Sequence, residues 1–174
     1  MESRVKLLGH PVHQMLVMFP LGLLGTSVVF DLIHIVRDSG FAAAVAHMLI
    51  SAGLIAGVLA APFGFLDWRA IPPNTRARAV GAMHGFGNVG VLFLFVLSWW
   101  VRRNAPEAPP VTAWILSFAG AGLSLVTAWL GGELVDRLGV GVSPNAHVNA
   151  RSSLDGPADS PAHDVHASYE RRGY

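Results

Sequence analysis

The chain has 174 residues, of which 52% are hydrophobic and 13% are charged, and its mean hydropathy is +0.48. Soluble domains carry about 25% charged residues, so this composition predicts a membrane protein. The formal net charge of +1 with no basic motif argues against a nucleic-acid partner, and the lack of cysteine excludes disulfides, thiolate iron–sulfur clusters, c-type haem attachment and a cysteine nucleophile.

Four apolar stretches are each long enough to cross a bilayer, whose hydrocarbon core takes about 20 helical residues. They cover roughly residues 14–36, 42–66, 80–101 and 112–135, and Pro, Gly, Arg or Asn residues separate them. The first stretch is too long for the apolar part of a signal peptide, and no small-residue cleavage pattern ends it. We therefore predict an all-α integral membrane protein, an up-down four-helix bundle whose transmembrane domain covers residues 1–142.

Span 1 begins within "LLGHPVHQMLVMFP", which places two histidines around a proline. Pro11 suits the first turn of a helix, so the helix is expected to begin there, with His10 at its cap. His13 follows three residues later and projects from nearly the same face. Pro20 lies inside the span and is expected to kink it.

The segment 143–174 is rich in Ser, Pro, Ala and Asp, and we interpret it as a disordered polar tail. His163 and His166 lie in it, where a solvated tail is a better interpretation than a weak metal site. Lys and Arg near the span ends favour both termini and the middle loop in the cytoplasm. That side carries Arg4, Lys6, Arg69, Arg76, Arg78 and Arg137, and the other carries Arg37, Arg102 and Arg103.

An antiparallel bundle brings the starts of spans 1 and 3 to the same membrane face as the ends of spans 2 and 4. Polar side chains are costly near hydrocarbon, so their concentration there indicates a candidate functional site. The residues at that face are His10, His13, Asp67, Trp68, His84, Asn88, Glu133, Asp136 and Arg137.

Two histidines on facing membrane helices are the requirement for holding a haem. His13 and His84 meet it if spans 1 and 3 lie across the bundle, and His10 either replaces His13 as ligand or hydrogen-bonds to Asp67 or Glu133. We therefore take His10, His13, His84 and Asn88 as candidate cofactor-binding residues, with Asp67 and Glu133 orienting an imidazole. A zinc or di-iron site with ligands drawn from His10, His13, His84 and Glu133 is the alternative.

Several residues near this candidate site also have a structural interpretation that requires no ligand. The glycines around His84 either allow close helix packing, which Gly53 and Gly57 also favour, or leave room for a flat ligand. Trp68 fits an interfacial anchor, and Glu133 fits either an ion pair with Arg137 or the pocket.

The opposite face is poorer in polar residues. Asp31, His34 and His47 lie there, and we expect them to satisfy one another because the short "RDSGF" loop joins their helices. The middles of spans 2 and 4 carry nothing ionisable, so a transporter ranks lowest among the candidate functions.

Four motifs together resemble the family of bacterial membrane proteins catalogued as domain of unknown function 2231. They are "GHPVHQMLVMFPLGL", "APFGFLDWRAIP", "MHGFGNV" and "TAWLGGELVDRLGVGV", and the resemblance covers roughly residues 5–142. It implies a four-helix domain of the bacterial inner membrane with no settled activity, fused in some members to a Rieske-type domain, which hints at electron transfer. The family pattern includes His10, His13, Asp67, Trp68, His84, Gly131, Gly132 and Glu133.

This chain differs from the pattern at one position and in one domain. It has Met18 where many relatives carry a histidine, and it has no Rieske domain. His34 and His47 do not belong to the pattern.

Two classes of function follow. The first is a b-type haem or quinone-linked electron-transfer module that meets a redox partner protein or a quinone. The second is a non-catalytic membrane scaffold or metal-binding protein, in which the polar cluster fixes helix register. No nucleophile elbow or phosphate loop supports a hydrolase.

Overall fold

A computed structural model describes residues 1–154 and confirms the predicted membrane bundle. Four helical segments are long and apolar enough to cross a membrane: Val12–Arg37, Gly40–Ala70, Arg76–Arg102 and Val111–Arg137, called spans 1 to 4. Each extends slightly beyond the predicted stretch at both ends, because polar and charged residues in the first and last turns are helical although they interrupt the apolar run.

Span 1 consists of two helices, α1 (Val12–Leu16) and α2 (Met18–Arg37). The interruption falls at Val17, three residues before Pro20. Because proline has no N–H, it cannot donate to the carbonyl four residues earlier, that of Leu16. The proline thus explains why the helix is broken at this level.

Spans 2 and 3 are single helices, α3 (Gly40–Ala70) and α4 (Arg76–Arg102). Span 4 begins as α5 (Val111–Gly132) and ends in one turn of π-helix, Glu133–Arg137. Such turns are rare and occur often at functional sites. No sequence pattern in this segment predicts a π-turn.

A short antiparallel ribbon precedes span 1. It pairs β1 (Lys6–Leu7) with β2 (His10–Pro11). Leu8 and Gly9 turn the chain with φ of 50° and 85°, the left-handed region that glycine adopts without strain. Pro11 is the N-cap and Val12 begins the helix, so His10 lies in the ribbon and not at the cap.

Short connections set the antiparallel order. Only Asp38 and Ser39 join spans 1 and 2, with Asp38 left-handed at φ 50°. The Ser39 side chain then caps span 2 by accepting from the Ala42 amide, and Thr75 caps span 3 by accepting from the Arg78 amide.

Packing is closest between spans 1 and 2 and between spans 3 and 4, and span 2 also packs against span 3 and span 1 against span 4. Spans 1 and 3 therefore lie across the diagonal of the bundle. The middle is an apolar layer of Leu24, Ile50, Val91 and Phe95. Gly53 belongs to this layer, since a Cβ there would lie 2.6 Å from the Leu24 side chain.

Residues 143–154 contain turns but no helix or strand. The rest of the predicted tail, with His163 and His166, lies outside the described residues. A disordered tail therefore stays a prediction.

Candidate functional site

Polar side chains gather at both ends of the bundle, above and below the apolar layer. We call the one that contains His13, Asp67, His84 and Glu133 the His13 end. The other, called the Asp31 end, contains Asp31, His34, His47 and Arg102. The two differ in burial and in the kind of hydrogen bonds they contain.

His13 is half-buried against span 2. Its Nδ1–H donates to the Ala60 carbonyl oxygen at 3.1 Å. The imidazole lies on Gly64, where an added Cβ would come within 2.6 Å of His13 Cε1. The glycine thus leaves the space that the imidazole fills.

His84 makes the equivalent contacts between spans 3 and 4. Its Nδ1–H donates to the Thr127 carbonyl oxygen at 2.8 Å, and a Cβ on Gly131 would lie 3.2 Å from His84 Cε1. Asn88 Nδ2 donates to His84 Nε2 at 3.2 Å and to the His84 carbonyl at 2.9 Å. The Thr127 hydroxyl donates to Asn88 Oδ1 at 3.1 Å, so Thr127 and Asn88 together orient the imidazole.

These partners determine the tautomer of both histidines. A carbonyl oxygen only accepts hydrogen bonds, so the Nδ1 that faces it must carry the proton. In its neutral form each ring then presents the lone pair of Nε2, which is the form that binds metal ions.

Asp67 holds the segment that precedes the ribbon. The Ser3 hydroxyl lies 2.7 Å from both Asp67 carboxylate oxygens, and the Arg4 amide donates to Oδ1 at 2.7 Å. Within this segment an ion pair with Lys6 lowers the pKa of Glu2. Asp67 therefore ties the segment to the end of span 2, and the predicted hydrogen bond from His10 to Asp67 is wrong.

Glu133 pairs with span 3 and not with its own helix. Arg76 Nη2 lies 2.6 Å from Glu133 Oε1, with the Arg76 side chain 61% exposed and that of Glu133 18% exposed. The ion pair with Arg137, one of the two alternatives for Glu133, is not formed, since the Glu133 carboxylate is engaged by Arg76. Neither does His10 reach Glu133.

Trp68 has a more specific role than an interfacial anchor. Its indole Nε1–H donates to the Arg78 carbonyl at 3.1 Å, and the Arg78 guanidinium lies 3.9 Å from the centroid of its ring. Arg78 also donates to the carbonyls of Trp68 and Arg69 in the last turn of span 2 and to that of Ile71, its C-cap residue. This pair fixes the loop between spans 2 and 3.

His10 is not brought to the other histidines. It is exposed in the ribbon, where its Nδ1–H donates to the Leu8 carbonyl at 3.2 Å. Among residues 1–154, no group of three or more His, Asp or Glu side chains is placed to hold a metal ion. The structure does not bring His10, His13, His84 and Glu133 together as one ligand set, and the alternative of a zinc or di-iron site stays a prediction.

At the Asp31 end, the expectation that Asp31, His34 and His47 satisfy one another is also wrong. Asp31 forms a bidentate ion pair with Arg102, at 2.7 and 3.0 Å, and both side chains are fully buried. His34 Nδ1–H donates to the Ser39 carbonyl at 2.9 Å, and the His47 ring stacks on Trp99. A charged Arg inside the span satisfies the carboxylate better than a neutral imidazole can.

Sequence reasoning missed Arg102 and its neighbours Ser98 and Ser117, whose hydroxyls accept from Arg102 Nη2 at 2.9 and 3.1 Å. It treated Arg102 as a loop charge because the residue ends its helix. The available signal was Asp31 itself, since a carboxylate well inside a span requires a cationic partner. Thr127 was missed for another reason: its backbone carbonyl and hydroxyl have no distinctive sequence pattern.

One comparison with known proteins gives a match. The family model described as "Predicted membrane protein (DUF2231)" matches residues 9–144, which confirms the resemblance indicated by the four motifs. Comparison with curated proteins and with solved structures gave no match.

Proposed function

The chain belongs to the DUF2231 family of predicted membrane proteins, and we propose that this multi-pass protein is an electron-transfer module in which His13 and His84 hold a b-type haem. One observation carries the proposal. On two diagonal spans, each imidazole donates Nδ1–H to a backbone carbonyl of the neighbouring span, at 3.1 and 2.8 Å. Histidines that bind metals almost always make this second hydrogen bond, which orients the ring and increases its basicity.

The donor set fits haem iron in its chemistry. Two neutral imidazoles provide two nitrogen ligands without adding charge inside the membrane. When bound, haem iron carries one electron by cycling between its ferric and ferrous states. Ala60 and Thr127 would hold the ligand rings through their carbonyls, and Gly64 and Gly131 would give the rings their space.

Asn88 is the residue that ligation would displace, because its amide now donates to His84 Nε2. Its other contacts, to the His84 carbonyl and the Thr127 hydroxyl, keep it beside the imidazole. Asn88 therefore acts as a positioning residue that maintains the tautomer of His84 before a ligand arrives.

A quinol is the second ligand that this chemistry admits. An Nε2 lone pair accepts a hydrogen bond from a quinol hydroxyl, and quinols reach the site through the bilayer. Either ligand makes a redox protein or the quinone pool the partner of this module. The spectrum of the purified protein separates the two cases, because only haem gives a Soret band.

We also propose that both termini lie in the cytoplasm of a bacterial inner membrane. Arg102 is buried in its pair with Asp31, so it does not count as a loop charge, and the Asp31 end retains only Arg37 and Arg103 near its span ends. The excess of basic residues at the His13 end is thus larger than the sequence suggested. The natural chain has no cysteine, so single cysteines at the exposed positions Pro73 and Glu107 give a clean test. A membrane-impermeant maleimide should label Glu107→Cys in intact cells and leave Pro73→Cys unlabelled.

The test of the haem proposal is an absorption spectrum of the detergent-purified protein, oxidised and dithionite-reduced, with total metal analysis. The proposal predicts a reduced b-type spectrum that His84→Ala abolishes. No Soret absorption after haem supplementation would contradict haem binding. Stoichiometric zinc without a haem spectrum would assign the two histidines to a metal centre that other ligands complete.

A scaffold is the second candidate, and one observation favours it. Both ring nitrogens of His84 have partners within spans 3 and 4, which is also what a network that fixes helix register would require. If His84→Ala lowers stability while wild type and variant both lack any cofactor, the scaffold is the better account.

A further inference from the structure

The two halves of the bundle repeat the same arrangement of residues. A shift of 71 residues carries span 1 onto span 3, and a shift of 67 residues carries span 2 onto span 4. We call residues 12–70 the first repeat and residues 83–137 the second. The equivalent residues used below for spans 1 and 3 are His13 and His84, Leu24 and Phe95, and Asp31 and Arg102.

The contacts of the histidines are the same in both repeats. Each imidazole lies on a glycine of the following span and donates to the backbone carbonyl four residues before that glycine. The residues in these two sets are His13, Gly64 and Ala60 in the first repeat, and His84, Gly131 and Thr127 in the second. Gly64 and Gly131 are equivalent residues, as are Ala60 and Thr127, so the repeats place their histidines in the same way.

The apolar layer repeats as well. A Cβ on Gly53 would lie 2.6 Å from the Leu24 side chain. In the second repeat, a Cβ on Gly120 would lie 2.8 Å from the side chain of Phe95. Each hairpin therefore packs a large apolar side chain of its first helix onto a glycine of its second helix, at equivalent positions.

The outer surfaces of the two repeats agree too. Met18 is 64% exposed and its equivalent Val89 is 63% exposed, and the corresponding values for Val58 and Leu125 are 65% and 73%. Because the equivalent residues differ in type, the agreement does not follow from similar sequence. It shows that equivalent helices are rotated equally about their own axes.

Equivalent residues of spans 1 and 3 also meet each other, which locates the axis that relates the repeats. Asp31 and Arg102 form the buried ion pair, and Leu24 and Phe95 belong to the same apolar cluster. Two residues that a two-fold axis exchanges can meet only where both lie close to that axis. Spans 1 and 3 run in the same direction, so the axis runs along the spans, as in other membrane proteins with parallel repeats.

His84 lies on the side of span 3 that faces this axis. Phe95 and Arg102 follow it by 11 and 18 residues, which correspond to about three and five turns of a helix with 3.6 residues per turn. Span 3 is a single helix, so the three side chains project in nearly the same direction. Since Phe95 and Arg102 face the axis, His84 does so as well.

His13 occupies the equivalent position in span 1. It precedes Leu24 and Asp31 by the same 11 and 18 residues. Span 1 is interrupted at Val17, between His13 and Leu24, yet the His13 ring has the same contacts with span 2 that the His84 ring has with span 4. Its relation to the axis is thus that of His84.

We infer that the chain consists of two structural repeats about a pseudo-two-fold axis, and that the His13 end binds one ligand, on that axis, which both imidazoles contact. Ligand sites of membrane proteins built from repeats lie at the interface between the repeats. A metal-centred ligand with two opposite coordination positions suits two equivalent imidazoles. The statement about the ligand rests on the proposed function, whereas the statement about the repeats does not.

Exchanging the two buried charges tests the axis without any ligand. In Asp31→Arg or Arg102→Asp alone, two like charges meet in the buried cluster, so each single variant should lose most of its stability or fail to fold. The double variant restores the pair with its members exchanged across the axis and should regain most of the lost midpoint. The measurement is denaturant unfolding in mixed micelles. A double variant that is no more stable than the single variants, or that also fails to fold, would overturn the repeats.

A titration with ferric haem in nanodiscs tests the ligand on the axis. The inference predicts one haem per chain and the loss of the six-coordinate low-spin spectrum in both His13→Ala and His84→Ala. Two haems per chain, or a low-spin spectrum that survives either substitution, would overturn a shared ligand. If wild type binds no haem, the proposed function fails, and the repeats are then decided by the exchange of charges alone.

Discussion

The two ends of the bundle solve the problem of polar groups in a membrane in different ways. At the Asp31 end, a carboxylate and a guanidinium, both fully buried, satisfy each other. At the His13 end, half-buried imidazoles donate to backbone carbonyls, and the ion pair between Arg76 and Glu133 is largely exposed on the Arg76 side. Paired charges are thus buried at the Asp31 end, and ring-to-carbonyl hydrogen bonds predominate at the His13 end.

This difference indicates separate roles. Removing one member of a buried pair leaves an uncompensated charge, so the Asp31 end is essential to the fold. An imidazole that exchanges its Nε2 partner leaves no uncompensated charge, which supports the ligand role proposed for His13 and His84. The apolar layer of Leu24, Ile50, Val91 and Phe95 separates the two ends, and side-chain changes at one end should be nearly additive with changes at the other.

The largest expected effect comes from Arg102→Leu. It leaves Asp31 as an unpaired buried carboxylate and should lower the free energy of unfolding by about 3–5 kcal/mol. The measurement is denaturant unfolding in mixed micelles, followed by tryptophan fluorescence. Arg103→Leu is the matched control, since Arg103 is exposed beside Trp100. Equal stability of the two variants would refute a structural role for the buried pair.

Gly64→Ala should have the next largest effect. Its Cβ would lie 2.6 Å from His13 Cε1, so the imidazole must move and weaken its bond to Ala60, at a cost of about 1–3 kcal/mol. Unfolding measurements and the NMR signals of His13 would show this. Gly85→Ala is the control, because no atom lies within 4 Å of its added Cβ. If both variants behave alike, His13 does not depend on the space at Gly64.

Thr127→Val tests the hydrogen bonds around His84, and its expected effect on stability is smaller. It removes the hydroxyl that donates to Asn88 Oδ1 but keeps the carbonyl that accepts from His84. Hydrogen bonds between membrane helices contribute about 0.6 kcal/mol on average, so we expect a loss of about that size in unfolding free energy and a shift in the His84 ring signals. Ser124→Ala is the comparison, since Ser124 donates only to Ala121 in its own helix. If the signals of the His84 ring are the same in Thr127→Val as in wild type, Asn88 does not transmit the loss of the Thr127 hydroxyl to His84.

The smallest effect is expected at the Arg76–Glu133 pair. Arg76 is 61% exposed, so a double-mutant cycle with Arg76→Gln and Glu133→Gln should give a coupling energy of about 0.2–1 kcal/mol. Because salt screens exposed charges, the coupling should nearly vanish at 1 M salt. A larger coupling that salt does not change would show that this pair is effectively buried.

The sequence was sufficient to predict the spans and the end of the bundle at which His13 and His84 lie. Hydropathy sets the spans, and antiparallel order places the start of span 3 beside the end of span 4, as His84 and Thr127 confirm. The partners of these residues depend on helix rotation, which periodicity alone does not determine. Predicting the pairing of Asp31 with Arg102 required knowing that Arg102 points inward, and predicting the pairing of Glu133 with Arg76 required knowing which side of span 4 faces the start of span 3.

The ribbon before span 1 shows a second limit of prediction from the sequence. Its two-residue strands are too short for a pattern, so Pro11 was interpreted as a helical residue and His10 as part of the site. The glycine that follows Leu8 was the available sign of a turn, since φ there is 85°. The backbone geometry of this turn, which hydropathy does not predict, places His10 in the ribbon and away from His13 and His84.

The most direct test of the central claim is a haem titration of apoprotein in nanodiscs. It compares wild type with His13→Ala, His84→Ala and His34→Ala, the last being the matched histidine at the Asp31 end. The account predicts that wild type and His34→Ala saturate with a six-coordinate low-spin spectrum, whereas His13→Ala and His84→Ala lose that spectrum. Saturation of His13→Ala and His84→Ala with the wild-type spectrum, or no binding by wild type, would contradict it.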